Sequence, residues 1–515
     1  MMKKITTIIF VVLLLMSSPL AVLASTPFQG YTYNYWGTLV PSPAAYAPVR
    51  SFGLSDIRCG EMCGLHSGMT CTLEAHINLG DMFEPTDINV DLNKNIYVVD
   101  SGNNRIIVFD IELNLNRVID GFWRDGEWDT FNRPHRVFVA DDMQIFVADT
   151  QNNRIVIINE DCQLIREILS PPEVEALDPN FIFLPIHVLV DRGGRTFVIS
   201  QREFQGIMTF NDDGKFIGYF GTISVGVNWV DFFWRILMTE DQDIYRGDWL
   251  PREFQSMSMD EYGFVFTSHV ENWHLNNQIM RLNPRGEDVL RNFNDPRVII
   301  NGDQGWRDTG PLSGPSVLTD VVARSHGRYS ALCNTRGRIF TYDSEGNLLY
   351  VFSGTGSMEG MTRRAISIET YNEDFLVLDM VGRGRIVQFA PTEYGHLINT
   401  ATAWRYDGRH GGEIDGEEMS AVDLWRRIAQ LDENFSLAWS GIGRSYLAAG
   451  ENAKAMEYLK RGMDIRYYSV AFRRNRLDVM QEILPNILTG GLVLFAAMTG
   501  FKVIRKVKRK GATAK

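Results

Sequence analysis

The sequence predicts a mainly β chain: a six-bladed β-propeller over residues 28–400, a small helical segment over 419–480 and one transmembrane helix over 483–501. Three observations predict it. A unit of short apolar runs recurs at about 49 residues, a period typical of propellers and other repeat arrays. Past Met419 the apolar spacing changes from about two to about 3.6 residues, the change from strand to helix. Ile483 to Phe501 then runs 19 residues without a charge, long enough to cross a hydrocarbon core.

The repeat is sharpest between Pro85 and Ile158. Its first copy holds Pro85-Thr-Asp-Ile-Asn-Val-Asp and Ile96-Tyr-Val-Val-Asp-Ser-Gly-Asn-Asn-Arg-Ile-Ile-Val-Phe109. Its second holds Pro134-His-Arg-Val-Phe-Val-Ala and Ile145-Phe-Val-Ala-Asp-Thr-Gln-Asn-Asn-Arg-Ile-Val-Ile-Ile158. Each reads as successive antiparallel strands separated by turn residues. The paired Asp-x-x-Asn-Asn-Arg segments, from Asp100 and Asp149, read as blade hardware: Asn residues turn the chain while Arg105 and Arg154 reach back to the carboxylates. These two copies resemble the NHL repeat.

Four weaker copies follow. They begin near Leu184, Phe254, Leu318 and Arg363, and Asn211-Asp-Asp-Gly and Asp343-Ser-Glu-Gly-Asn mark hairpins where positive φ favours Gly or Asn. Two insertions, 221–253 and 292–317, break the period; the first spaces Val227, Val230, Phe233, Trp234 and Leu237 as an amphipathic helix. Propellers close by pairing strands from the two ends of the chain, which removes exposed edges. Tyr31 to Trp36, with its alternating aromatics, is the expected closing strand.

Among the helices, Trp439-x-x-Ile-Gly-x-x-Tyr446 with Ala455 and Tyr458 resembles a tetratricopeptide repeat. One such unit cannot bury a core alone, so it must pack on the propeller, a partner or a second copy.

The ends set the compartment. Residues 1–24 have the order of a secretory signal peptide: Lys3 and Lys4, an apolar run, then Val22-Leu-Ala24 before Ser25. The basic tail 502–515 places the C-terminus in the cytoplasm by the positive-inside rule. The expected arrangement is a single-pass cell-membrane protein with its bulk extracytoplasmic. A net charge of −12 argues against nucleic acid as partner. Cys59, Cys63 and Cys71, with His66 among them, leave open a disulfide, a zinc site or unpaired thiols.

Candidate ligand-binding residues come from aligning the first strand of each copy, which lines a propeller's axis. Asp87, Arg136, His187, Ser256, Asp320 and Arg364 fall at one position, preceded by His135 and Arg363 among others. Trp123, Trp128 and Trp306 sit in loops expected at the same mouth, where rings can stack on a sugar or peptide. No catalytic residue is assigned. NHL-type lyases hold zinc with several His residues, and similar lactonases hold calcium with a Glu/Asn/Asp set. Neither set is reproduced, so no cofactor is expected, with zinc or calcium as the alternative. Taken together, the chain resembles uncharacterised surface proteins of Gram-positive bacteria. That resemblance implies a membrane-tethered binding or scaffold role beside a transport or envelope complex, with a protein or carbohydrate on one propeller face. The competing reading is a metal-dependent lyase or lactonase using Asp87, His187 and Asp320.

Overall fold

A computed structural model describes residues 26–54, 64–65, 69–70, 80–110, 112–171, 181–221, 253–270, 278–290, 302–303, 316–414 and 416–512. The expected signal segment, the Cys59–Cys71 cluster, the helix of the first insertion and Trp306 lie outside these residues.

Six antiparallel sheets form the propeller, five of them meanders in chain order and the sixth completed by a strand from early in the chain. Their first strands are Pro85–Val90, Pro134–Val139, Pro185–Val190, Glu253–Met259, Leu318–Ala323 and Ala365–Tyr371, and these six touch one another in a closed ring. Alternation puts apolar side chains between neighbouring sheets, so the core is a set of inter-blade layers rather than one centre. Blade four has three strands among the described residues, with a bridge from Leu282 to Asp288 where a fourth would pair.

The Asp-x-x-Asn-Asn-Arg segments fold as read. Asp100 accepts from Arg105 Nε at 2.7 Å, Asn103 Nδ2 at 2.9 Å and the Phe83 amide at 2.7 Å. Asp149 repeats this with Arg154, Asn152 and the Asn132 amide. Asn104 and Asn153 take the left-handed conformation at φ 55° and 56°, which Asn tolerates better than most residues.

The closing strand differs from expectation. Tyr46–Phe52 pairs with Arg385–Pro391 and completes blade six. Tyr31–Tyr33 instead makes a small hairpin with Leu39–Pro41, and Tyr31 and Tyr33 both donate to Asp303. The aromatic alternation marked a strand, but the strand that fits blade six is the one ending in Phe52, whose ring packs with the inter-blade layer below it.

The expected propeller end at residue 400 falls inside a helix. The last strand stops at Pro391, and α1 (Glu393–Tyr406) starts after the N-cap Thr392, whose side chain accepts from the Gly395 amide. Then come a short hairpin and α2 (Ala421–Leu431), α3 (Ser436–Ala448), α4 (Asn452–Arg461) and α5 (Ile465–Ala512). α3 and α4 approach closely through glycine: a Cβ on Gly443 would lie 2.5 Å from Leu459. Trp425, fully buried, fills the space beside Gly441. The helices dock on the propeller, where Arg444 pairs with Glu345 and Arg405 with Asp343. α5 contains one helix window long and apolar enough to cross a membrane, none of it buried, and it runs on without a break from the stem at Ile465.

Candidate functional site

The first strand of every blade carries the same irregularity. A buried residue at or next to its start pairs at or next to the end of the second strand (Pro85 with Asp100, Pro134 with Asp149, Pro185 with Ser200, Phe254 with His269, Leu318 with Cys333, Ala365 with Asp379), and a register shift follows. The bulge turns the residue two places on toward the axis. Those residues are Asp87, Arg136, His187, Ser256, Asp320 and Ser367.

The ring is tightly bonded. Arg136 Nη2 donates to Asp320 Oδ1 at 2.6 Å, and Nη1 lies 3.3 Å from Asp87 Oδ1. Ser256 Oγ donates to Asp320 Oδ1 at 2.5 Å, and Ser367 Oγ lies 2.9 Å from Asp320 Oδ2 and 3.1 Å from Asp87 Oδ1. Backbone amides one blade on complete the set: Val137 to Asp87 at 3.1 Å, Met257 to His187 Nε2 at 3.2 Å, Ile368 to Asp320 at 2.8 Å. Each ring side chain named there locks its own blade to the next.

Electrostatics follow from burial. Asp87 is pushed up to about 6, chiefly by loss of water and further by Asp320, while Arg136 pulls it down. His187 is held well below its ordinary value by burial and by Arg136. His135 falls to about 4 for the same two reasons, and its Nδ1 lies 3.0 Å from the Ile186 carbonyl. Both imidazoles are therefore neutral near pH 7.

A cavity of about 640 Å³ stands on this ring and opens past Ala140, Asp191 and Glu261, at the turns between first and second strands. Its lining includes Asp87, Arg136 and His187, but not His135. The mouth is thus at the trailing ends of the first strands, opposite to the expected end. Arg363 and Arg364 are not in the ring: they are exposed residues before blade six whose amides donate to Asp379. Ser367 holds the place assigned to Arg364, three residues later. Trp123 and Trp128 leave the axis too. They face each other across the hairpin Gly121–Arg124/Glu127–Thr130, ring centres 5.1 Å apart, and Trp123 bridges to Gln163 beside the outermost strand of blade two.

Sequence reasoning passed over the next layer up. Two residues beyond the ring positions stand Asn89, Phe138, Leu189, Ser258, Val322 and Glu369, all facing the cavity. The period-two rule, applied from a correct ring, finds them.

The residues of the alternative metal site do not fit a cation. Asp87 and Asp320 share the Arg136 guanidinium, which puts a positive charge between the two carboxylates, and His187 Nε2 is spent on the Met257 amide. A metal ligand set needs lone pairs left to coordinate. Among the described residues, no three His, Cys, Asp or Glu side chains converge.

No protein-family profile matches the chain, and no curated protein does. Among solved structures it is similar to virginiamycin B lyase from Staphylococcus aureus, at 10% identity over 60% of this chain and 94% of that one, TM-score 0.38. A streptogramin B lyase matches at 10% identity over 71% and 93%, TM-score 0.36. A gluconolactonase from Xanthomonas campestris matches at 10% over 61% and 89%, TM-score 0.35. Likeness at this level bears on fold alone, and the blade count rests on the six sheets themselves.

Proposed function

We propose that this is a membrane-anchored, non-catalytic binding or scaffold protein, with an NHL-like propeller held outside the membrane on a short tetratricopeptide-like stem. One observation carries the reading: the charged groups and hydroxyls at the channel floor are consumed by one another. Two carboxylates, one guanidinium and two hydroxyls satisfy each other in the ring. A catalytic acid, base or nucleophile needs a hydrogen-bond partner among reacting atoms, and here that capacity is spent on joining blades. The cavity above the floor and the exposed α5 then supply what a tethered receptor uses: a recess for a ligand and an anchor. The partners that suit this arrangement are a membrane transport or envelope complex, and a small ligand or peptide delivered to it.

The test is cross-linking of the full chain in its membrane, with mass spectrometry of the adducts, beside elemental analysis of protein purified without metal or chelator. A reproducible membrane partner and substoichiometric metal support the reading. One zinc or calcium per chain, lost on His187→Ala, overturns it in favour of a metal-dependent lyase or lactonase.

A further inference from the structure

We infer that the propeller cavity is a binding site for an organic cation, a terminal ammonium or guanidinium on a thin aliphatic chain. This rests on the binding-protein reading and names the class of its ligand. The argument begins with a charge count. Three carboxylates, Asp87, Asp320 and Glu369, line or floor the lumen against one guanidinium, Arg136, whose contacts go to Asp87 and Asp320. Glu369 Oε1 accepts from the Thr370 amide at 2.8 Å and lies 3.3 Å from its hydroxyl. Among the described residues Glu369 has no ion-pair partner. It is half-buried and open on one side to the cavity.

The wall opposite in character is apolar. Phe138, Leu189 and Val322 stand at the same level as Glu369, while Asn89 and Ser258 face the lumen between them and accept amides from the next blade. A recess with one carboxyl group free of an ion pair and an apolar arc complements a cation with an alkyl stem: the cation displaces the proton that burial holds on Glu369 near neutral pH and pairs with the carboxylate, and the methylenes leave water. An anion would meet net negative charge. A neutral apolar ligand would strip water from Glu369 without replacing it. At the mouth exposed Asp141, Asp142 and Glu261 outnumber exposed Arg192, and Arg166 is paired with Asp212, so the approach keeps the same sign. The volume, about 640 Å³, lies within the range of small-molecule sites.

The probe is agmatine, which carries a guanidinium and an ammonium on four carbons, titrated calorimetrically into the full chain in detergent, with glutarate as the anionic control. Saturable one-to-one binding of agmatine, none of glutarate, and a loss of about tenfold or more in Glu369→Gln are expected. Glu369→Gln keeps the shape and the uncharged state that burial favours, so its Tm should hold near neutral pH and rise above pH 8. Ser258→Phe fills the lumen from blade four and leaves Glu369 in place, though the Ala323 amide loses its acceptor; it should abolish binding while a cooperative thermal transition shows the chain still folded. Absent binding, equal binding to Glu369→Gln, or equal binding of glutarate overturns the site and leaves the scaffold reading standing. Agmatine recovered chemically changed would instead overturn the non-catalytic reading.

Discussion

Replacing Arg136 by methionine removes the one cation at the channel floor and keeps most of the side-chain volume. The guanidinium sits 2.6 Å from Asp320 and 3.3 Å from Asp87, with the two carboxylate side chains 1% and 2% exposed. At an effective dielectric near 20, each contact is about 5–6 kcal/mol of Coulomb attraction before the cost of dehydration. What the substitution reads is different: two buried carboxylates left facing each other, a loss of about 3–5 kcal/mol. For a domain of this size that lowers Tm by roughly 4–7 °C at pH 8. The penalty is pH-dependent. Asp87 already has a folded value near 6 against 3.8 for the free side chain, so its proton stabilises the fold below about 4, and that contribution is lost as pH rises through 6. Without Arg136 the folded value climbs further. The gap between variant and wild type is therefore wide at pH 8 and narrow near pH 4. Thermal unfolding of the full chain in detergent, followed by tryptophan fluorescence, measures both. A shift under about 2 °C at pH 8, or one that does not shrink in acid, refutes the argument and means that lumen water solvates the ring.

Three further outcomes are expected. Glu369, raised to about 8 first by burial and then by Asp320 and Asp87, favours the fold while protonated and loses that contribution as pH rises through 8; Glu369→Gln should gain about 4 kcal/mol over wild type at pH 9 and nothing at pH 4, read as Tm across that range. Gly395→Ala puts a Cβ where the built position lies 2.0 Å from the Ala45 carbonyl oxygen, so α1 must move off the closing strand at a cost of about 3 kcal/mol or more, visible as faster proteolysis near residue 392. Leu494→Lys with Phe495→Lys places two charges in the apolar part of α5, each costing about 3 kcal/mol at mid-bilayer, and should release the chain from the membrane fraction on carbonate extraction.

What was legible in the sequence tracks how local its cause is. The Asp-Asn-Asn-Arg turns were readable because their side-chain partners, Asn and Arg, lie within five residues of Asp100 or Asp149; the Phe83 and Asn132 amides, 17 residues back, were not. The ring was readable in five blades, where a buried Pro or large apolar residue stands two places before it: Pro85, Pro134, Pro185, Phe254 and Leu318. Blade six carries Ala365 in that place, too small to stand out, and the run Arg363-Arg364 drew the register three residues early. The placement of Trp123 and Trp128 was not legible, since a hairpin added after blade one packs sideways on blade two through contacts more than 30 residues distant. Helix α1 was passed over because most of its residues are buried, Asn399 and Thr402 included, and such a helix shows no polar stripe.

The closing strand joins both ends of the chain to the anchor. Tyr46 pairs with Pro391, the last residue of blade six, and its hydroxyl accepts from Asn399 of α1 at 3.0 Å and from Arg324 of blade five at 3.1 Å. Thr392 donates its hydroxyl to Ala44 at 2.7 Å, and Ser42 donates to Asp432 at the end of α2. Blades five and six, the N-terminal segment and the stem therefore meet at one seam. The strand Tyr46–Phe52 has no sheet partner until residue 391 has been made, more than 330 residues later. An apolar strand left open for so long would template aggregation. This one carries Pro48, which cannot donate to a ladder, and exposed Val49 and Arg50 beside it. In the folded chain Arg50 turns its Nε to Gln388 at 2.7 Å, across the pair it helps to close. Pro48 and Arg50, which blunt the edge before closure, thus flank the one irregularity of the closed ladder, where Val49 is left without a partner.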